Sequence, residues 1–174
     1  MNIILVIAQN GFQDKELMDT KNALKKAGFK CDIASKTLDK TNGKLGMVIM
    51  PDLTIEDAID SLDMYAAVAF IGGPGAAQYF EDPDALSLAK KCFEKGKITA
   101  AICIAPMILA HAGILKHKNA TVWDGDKEQS AYFSQNGIKY TGEDVTIDGN
   151  IVTGNGPMAS QKFGEAIASL LEEK

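Results

Sequence analysis

The sequence contains no arginine, since all 18 of its basic residues are lysine. Bidentate recognition of a carboxylate or phosphate by a guanidinium group is therefore excluded. The formal net charge is -5, so the chain also lacks the excess of positive charge that is typical of proteins binding nucleic acid or anionic membranes. We expect neither a nucleic-acid partner nor a membrane partner.

Cysteine and histidine are scarce as well. The three cysteines are odd in number and show no CxxC spacing, which argues against a disulfide framework or a zinc site. The sequence has no GxGxxG motif and no Walker motif, so a dinucleotide site or a P-loop is unsupported. We therefore expect no metal and no cofactor.

Long hydrophobic runs are missing, and none approaches the roughly 20 residues of a membrane-spanning helix. The apolar stretch from Met1 to Ile7 lacks a basic leader and a cleavage site, and it is typical of a buried first strand. We therefore expect a cytoplasmic protein. A length of 174 residues with 46% hydrophobic content predicts a single domain, residues 1–174, with a sizeable core.

Strand and helix patterns alternate along the chain. Apolar runs predict strands at 3–8, 29–33, 44–50, 66–71, 98–102 and 120–123, and a hairpin joining 145–147 to 151–153. Helical spacing predicts helices at 14–27, 55–60, 84–95, 129–136 and 157–172. The alternation predicts an α/β fold with a doubly wound, mostly parallel sheet and helices on both faces. Ligands of such sheets bind outside the carboxyl ends of the strands.

One of these strand ends carries a cysteine. The apolar run 98–102 stops abruptly at Cys103, and a helix-like pattern follows at 107–110 and ends at Gly113. A nucleophile on a sharp turn between strand and helix is typical of a nucleophile elbow. The positive end of the helix dipole would favour the thiolate. We predict that Cys103 is reactive and that Cys31 and Cys92 are core residues.

The surroundings of Cys103 offer donors but no base. The backbone N–H groups of Gly73 and Ile104 could form an oxyanion hole, although the glycines could equally serve a tight turn. His111 lies eight residues along the helix, roughly 12 Å away at 1.5 Å rise per residue. His117 lies beyond the end of that helix. A Cys–His dyad within one subunit is therefore not expected.

Other predicted pocket residues come from loops at the same edge of the sheet. Trp123 and Asp124 end a predicted strand, where Trp123 lines either the pocket or the core and Asp124 is an alternative base. Asn155 follows another predicted strand and is also placed in the pocket. Glu16, in the first turn of the first helix, is interpreted as a carboxylate that favours the helix dipole.

Several segments together resemble the ThiJ/PfpI superfamily over almost the whole chain. The matching segments are Gly11-Phe12-Gln13-Asp14-Lys15-Glu16-Leu17, Ile71-Gly72-Gly73-Pro74-Gly75, Ala101-Ile102-Cys103, Ala112-Gly113-Ile114-Leu115-Lys116 with Ala120-Thr121, and Asp148-Gly149-Asn150-Ile151-Val152-Thr153 with Gly156-Pro157. The resemblance implies a flavodoxin-like fold of the class I glutamine amidotransferase type. It also implies a homo-oligomer, either a dimer or a hexamer, and a reactive cysteine at the elbow.

The resemblance also implies a range of activities. Those attributed to the family include peptidase, glyoxalase acting on methylglyoxal without glutathione, protein deglycase, chaperone and sensing of oxidative stress. Three positions depart from the family pattern. Gln13 stands where the family glutamate is expected against the cysteine, and Ile104 replaces the histidine of the peptidase branch. Ala77 replaces the acidic residue that the peptidase branch takes from a neighbouring subunit.

These departures separate the functional hypotheses. A glutamine can donate a hydrogen bond to Cys103 but cannot exchange a proton near neutral pH, so Gln13 predicts weak or absent carbonyl isomerisation. The first hypothesis is chemistry on a small electrophilic substrate such as a reactive carbonyl, and the second is a thiol that senses an oxidant. A non-catalytic or chaperone-like oligomer is the alternative, and an intracellular cysteine peptidase is the least favoured.

Overall fold

The computed structural model describes residues 1–173, so Lys174, the last residue of the predicted domain, lies outside the described residues. The strands are β1 (Asn2–Val6), β2 (Asn10–Phe12), β3 (Lys30–Ser35), β4 (Thr41–Gly43), β5 (Val48–Ile49), β6 (Leu53–Thr54), β7 (Tyr65–Phe70), β8 (Ile98–Ile102), β9 (Asn119–Ala120), β10 (Lys139–Tyr140), β11 (Val145–Asp148) and β12 (Ile151–Gly154). The helices are α1 (Asp14–Lys26), α2 (Ile55–Asp60), α3 (Pro83–Glu94), α4 (Pro106–His111), α5 (Glu128–Gln135) and α6 (Ser160–Glu172).

The main sheet has the order β11-β12-β8-β7-β1-β3-β6, and only the edge pair β11–β12 is antiparallel. Central strands bury both faces: the four consecutive residues from Ile3 to Val6 are at most 1% exposed. Such continuous apolar runs suit a parallel sheet that helices cover on both sides. Accordingly, α1 packs against α6, whereas α2, α3 and α4 pack in succession. The predicted flavodoxin-like α/β class is confirmed.

Helix α1 begins and ends where its sequence predicts. The Gln13 side chain accepts a hydrogen bond from the Lys15 N–H at the N-terminus, and acidic residues occupy the first turn. Lysines occupy the last turn, and Gly28 follows with a φ of +87°, which suits the left-handed end of a helix. This start fixes which side chains of the first turn face the sheet.

The predicted strand 44–50 is confirmed only at Val48–Ile49, which form β5. Residues 44–47 instead form a turn between the short strands β4 and β5, and the Gly46 N–H closes this turn on the Gly43 carbonyl at 3.1 Å. The turn has its own partners, since the Asp14 carboxylate accepts the N–H groups of Leu45 and Met47. These bonds draw the turn onto the start of α1.

The predicted strand 120–123 is also shorter than expected, because only Asn119–Ala120 pairs as a strand. The Thr121 N–H donates to the Thr153 hydroxyl at 2.9 Å, and the Trp123 N–H donates to the Cys103 carbonyl at 2.8 Å. These backbone groups bind the neighbouring strand ends instead of extending a ladder. The predicted hairpin at Asp148-Gly149-Asn150 is confirmed as the turn joining β11 to β12.

The order in which successive strands are added to the sheet reverses at β1, since β3 lies on one side of it and β7 on the other. In doubly wound sheets the crevice for a ligand opens at such a switch point, at the carboxyl ends of the strands. The segments that follow β1, β7 and β8 therefore meet at one edge of the sheet. Among residues 1–173, no helix has the length and apolarity needed to cross a membrane.

Candidate active site

Cys103 occupies the turn after β8 with a φ of +63°, a backbone conformation that non-glycine residues rarely adopt. Its N–H donates to the Gly154 carbonyl at 2.9 Å, and its own carbonyl accepts the Trp123 N–H at 2.8 Å. Two hydrogen bonds to neighbouring segments thus hold the strained residue in place. This is the geometry of a nucleophile elbow, as the sequence predicts.

Two backbone N–H groups face the Cys103 sulfur, those of Gly73 and Ile104, and each favours its ionised form. Gly73 adopts a φ of +99°, and a Cβ there would lie 2.4 Å from the Gly11 carbonyl oxygen and 2.5 Å from the Gln13 nitrogen. Only glycine lets the chain after β7 approach the chain after β1 so closely. The two donors that the sequence proposed for an oxyanion hole are therefore brought together at the thiol.

A carboxylate also lies against the thiol, and it belongs to Glu16. Its Oε2 accepts the Gly72 N–H at 2.9 Å, and its side chain lies close enough to Cys103 for each group to shift the pKa of the other. Gly72 touches both groups, because a Cβ at this position would lie 2.5 Å from the Cys103 Cβ and 2.7 Å from Glu16 Oε2. Glu16 lies in the first turn of α1, as its helix-dipole interpretation requires, but its carboxyl group also lies beside the thiol. The expectation that Gln13 stands in place of the carboxyl group against the cysteine is wrong.

The electrostatics of this pair follow from burial. Glu16 is 0% exposed, and its Oε1 has no hydrogen-bond partner among the described residues. Burial raises the pKa of Glu16 to about 7, although Cys103, the Gly72 N–H and the Lys44 charge partly oppose this rise. The carboxyl group can therefore lose and regain a proton near neutral pH.

The pKa of the Cys103 thiol is raised as well. Burial, followed by the negative charge of Glu16, raises the pKa of Cys103 to about 12, despite the N–H groups of Gly73 and Ile104. The backbone N–H groups at the elbow do lower the pKa of the thiol, as the sequence predicts, but burial and Glu16 together raise it by more. At neutral pH the resting pair therefore holds a thiol beside the carboxyl group of Glu16.

A cavity of about 270 Å³ opens over the thiol. Its lining comprises Gln13, Lys44, Gly73, Pro74, Cys103, Ile104, Trp123 and Pro157. Trp123 thus lines the pocket, which is one of the two interpretations that the sequence left open. The sequence did not indicate Lys44, because its segment was predicted to be a strand. Pro74 and Pro157 lie in turns that follow predicted strands.

Of three further predicted site residues, Gln13 lines the cavity, whereas Asp124 and Asn155 do not. The Gln13 side chain lines the cavity, but its Oε1 accepts the Lys15 N–H at 3.3 Å as the cap of α1. Asp124 is not part of the lining, because its carboxylate accepts the Ser130 N–H at 2.9 Å and pairs with Lys127. Asn155 is also outside the lining, and its N–H donates to the Asp144 carbonyl. Asp124 therefore caps the start of α5 instead of serving as a base.

Neither histidine reaches the cavity lining. The His111 ring lies between Phe80 and Tyr132, with ring centroids 5.7 Å and 5.0 Å away. Within residues 1–173, no group of three His, Cys, Asp or Glu side chains is arranged to hold a metal ion. The chemistry of this site therefore depends on the thiol, the carboxyl group of Glu16 and backbone donors.

A model of the DJ-1/PfpI family matches residues 1–170. The chain belongs to the DJ-1/PfpI family. It is similar to deglycase PfpI of Pyrococcus furiosus, with 31% identity over 154 residues that cover 88% of this chain and 90% of that protein. It is also similar to the glutathione-independent glyoxalase DJR-1.2 of Caenorhabditis elegans, with 24% identity over 172 residues that cover 97% of this chain and 88% of that protein.

A solved structure gives the same result for the fold. The crystal structure of a ThiJ/PfpI domain protein from Brachyspira murdochii superposes with a TM-score of 0.92 at 31% identity. The match covers 99% of this chain and 97% of that one. The DJ-1/PfpI membership predicted from the sequence motifs is therefore confirmed.

Proposed function

We propose that the protein converts small 2-oxoaldehydes into 2-hydroxy acids without glutathione, with Cys103 as nucleophile and Glu16 as proton carrier. The observation that carries this proposal is the buried Glu16 carboxyl group, which lies against the Cys103 thiol at a cavity and has a pKa raised to about 7. A general acid–base group works best when its pKa lies near the operating pH. The related protein names, deglycase and glutathione-independent glyoxalase, describe chemistry on carbonyl compounds of this class.

The proposed reaction balances without a cofactor. The Cys103 sulfur adds to the aldehyde carbon while its proton passes through Glu16 to the aldehyde oxygen, which gives a hemithioacetal. Glu16 then removes the proton from that carbon, and the electron pair forms an enediolate. Protonation at the neighbouring carbon gives a thioester of the 2-hydroxy acid. Water hydrolyses the thioester, so the aldehyde carbon is oxidised, the ketone carbon is reduced and the thiol is restored.

The backbone donors support the steps in which negative charge develops on oxygen. The N–H groups of Gly73 and Ile104 converge on the sulfur, so an oxygen on the carbon attached to that sulfur would lie within their reach. Preorganised backbone donors of this kind stabilise developing oxyanions. The cavity volume of about 270 Å³ suits a small substrate.

Oxidant sensing is a second candidate, supported by Cys103 being half-buried and lining the cavity. In its neutral form Glu16 could donate a hydrogen bond to an oxidised sulfur. The raised pKa of Cys103 weighs against this candidate, because the thiolate, and not the thiol, attacks peroxide. Intact mass after graded peroxide tests this candidate, which requires Cys103 to gain oxygen before Cys31 and Cys92.

The remaining hypotheses have less support. A purely chaperone-like role was based on the expectation that the site lacks an acidic group. The carboxyl group of Glu16 beside Cys103 weakens this hypothesis. A peptidase is disfavoured because no histidine is among the residues that line the cavity. We further propose that the protein acts in the cytoplasm as a homo-oligomer, a dimer or a hexamer, which light scattering on the purified protein would test.

The main experiment follows lactate formation from methylglyoxal by the wild-type protein, Cys103→Ser, Glu16→Gln and the control Cys31→Ser. We expect Cys103→Ser to abolish turnover and Glu16→Gln to lower kcat by about 10²- to 10⁴-fold, the usual contribution of a positioned acid or base. Cys31→Ser should retain the wild-type rate. Equal rates for wild type and Cys103→Ser, with both proteins folded by circular dichroism, would refute the proposal.

A further inference from the structure

Lys44 is the one charged side chain among the described residues that line the cavity over Cys103. The other lining side chains are apolar or neutral. The ion pairs found within 4.0 Å in residues 1–173 do not include Lys44. Lys44 is thus an exposed lysine without a carboxylate partner at the edge of the space that a substrate would occupy.

Hydrogen bonds to distant parts of the chain fix the backbone at Lys44 and in the turn that follows it. Its N–H donates to the Phe12 carbonyl at 2.8 Å, which ties the residue to the segment just before α1. Asp14 is 7% exposed, and its two oxygens accept the N–H groups of Leu45 and Met47 at 2.8 Å and 2.7 Å. At Gly43 a Cβ would lie 2.5 Å from both Asp14 oxygens, so the turn needs glycine there to close on this carboxylate. Asp14 thus presents Lys44 beside the same helix start that carries Glu16.

The charge of Lys44 reaches the reacting groups, since it is one of the causes that lower the pKa of Glu16. A cation close enough to lower the pKa of Glu16 also acts on any anionic part of a bound substrate. Because a single cation lines the cavity, a singly charged carboxylate is the group that it can neutralise.

We propose that Lys44 is a specificity-determining residue that selects 2-oxoaldehydes carrying a carboxylate at the far end of a short chain. This inference extends the proposed glyoxalase-type function to a substrate class. The aldehyde end lies at Cys103 and the backbone donors, and the carboxylate lies at the Lys44 ammonium group. A neutral 2-oxoaldehyde of equal length uses the same thiol and carboxyl group but gains nothing from Lys44.

Binding is tested apart from catalysis. Trp123 is the only tryptophan of the chain and lines the cavity, so its fluorescence reports on occupancy. Cys103→Ser protein is titrated with levulinate, a carboxylate-bearing ketone, and with 2-hexanone, its neutral analogue of similar length. We expect levulinate to bind about three- to tenfold more tightly, with a preference that declines as salt is added.

Variants of Lys44 then test whether this residue causes the preference for levulinate over 2-hexanone. In the same Cys103→Ser background, Lys44→Met should remove the preference and Lys44→Arg should retain it. Lys40→Met is the matched control, since Lys40 is exposed, precedes β4 and is not part of the lining. Equal binding of the two ketones, or a preference that survives Lys44→Met, would overturn the inference.

Turnover gives the second measurement, with 4,5-dioxopentanoate compared with 2-oxohexanal in otherwise wild-type protein. The readout is the ratio of the two kcat/KM values, because removing the Lys44 charge also changes Glu16 for both substrates. The ratio should fall about three- to tenfold in Lys44→Met but not in Lys40→Met. If neither substrate is converted while levulinate still binds in a Lys44-dependent manner, the glyoxalase-type function fails and the carboxylate site remains.

Discussion

The side chains of Glu16 and Cys103 lie next to each other at the carboxyl edge of the sheet, where both flank the position that a Cβ at Gly72 would occupy. Glu16 arrives from the first turn of α1 and Cys103 from the turn after β8. Neither group has free access to bulk water, since Glu16 is fully buried and Cys103 is partly so. Each group therefore sets the protonation state of the other, and this coupling determines how stability and reactivity depend on pH.

The first prediction concerns stability. Glu16 has its pKa raised from 4.5 to about 7 in the folded protein, so the folded state binds more protons than the unfolded state between these values. Stability is therefore greatest below pH 4.5 for this group and falls as the pH rises through about 7. The loss amounts to about 3 kcal/mol in wild type, and Glu16→Gln should not show it.

Urea unfolding of both proteins at pH 4.5, 6, 7 and 8 measures this difference. Subtracting the two curves removes the contributions of other titrating groups, which both proteins share. A constant difference in the free energy of unfolding over this range would show that Glu16 is not held at a raised pKa.

The second prediction concerns the thiol. Because the Glu16 charge is the second cause that raises the pKa of Cys103, Glu16→Gln should lower this pKa and leave the contribution of burial in place. Alkylation of Cys103 by iodoacetamide at pH 9 should then be several times faster in the variant. Peptide mass spectrometry gives the rate, and Cys31, whose pKa burial raises to about 11, is the internal reference. A slower Cys103 in the variant would contradict the assignment of Glu16 as the neighbouring anion.

The sequence predicted the elbow correctly but assigned the carboxylate to the wrong residue. The pattern Leu17, Thr20 and Leu24 already defined the buried face of α1, and Glu16 lies four residues before Thr20 on that face. A charged residue on a buried stripe, next to the carboxyl ends of the strands, was the available signal. The motif comparison instead drew attention to Gln13, whose side chain caps the helix.

Lys44 shows a different limit of sequence reasoning. The order of apolar strands and helices is a local property, so most elements of the main sheet were predictable within a few residues. The turn at 44–47 depends on Asp14, which lies about thirty residues earlier and accepts two of its N–H groups. A long-range bond of this kind leaves no periodic pattern in the sequence, so neither the turn nor the placement of Lys44 in the cavity could be predicted.

The third prediction is that Gln13→Glu does not improve the enzyme. The new carboxylate would still cap α1, but it would add negative charge to the cavity next to the buried Glu16 of the same helix start. Like charges raise each other's pKa, so Glu16 would ionise at higher pH. In methylglyoxal assays from pH 5.5 to 9, the rise of kcat/KM should move upward from about pH 7. A higher kcat/KM than wild type at pH 6.5 would contradict this account.

The fourth prediction tests how Asp14 supports Lys44. In Asp14→Asn the amide nitrogen would face a backbone N–H that the carboxylate now accepts, so one of the two N–H groups at Leu45 and Met47 loses its partner. Leaving a buried donor unpaired costs about 1–3 kcal/mol, which urea unfolding would measure against the exposed control Asp60→Asn. The freed turn should also weaken the preference for levulinate over 2-hexanone, as read from Trp123 fluorescence. If stability falls but the preference is unchanged, Asp14 stabilises the turn without positioning Lys44.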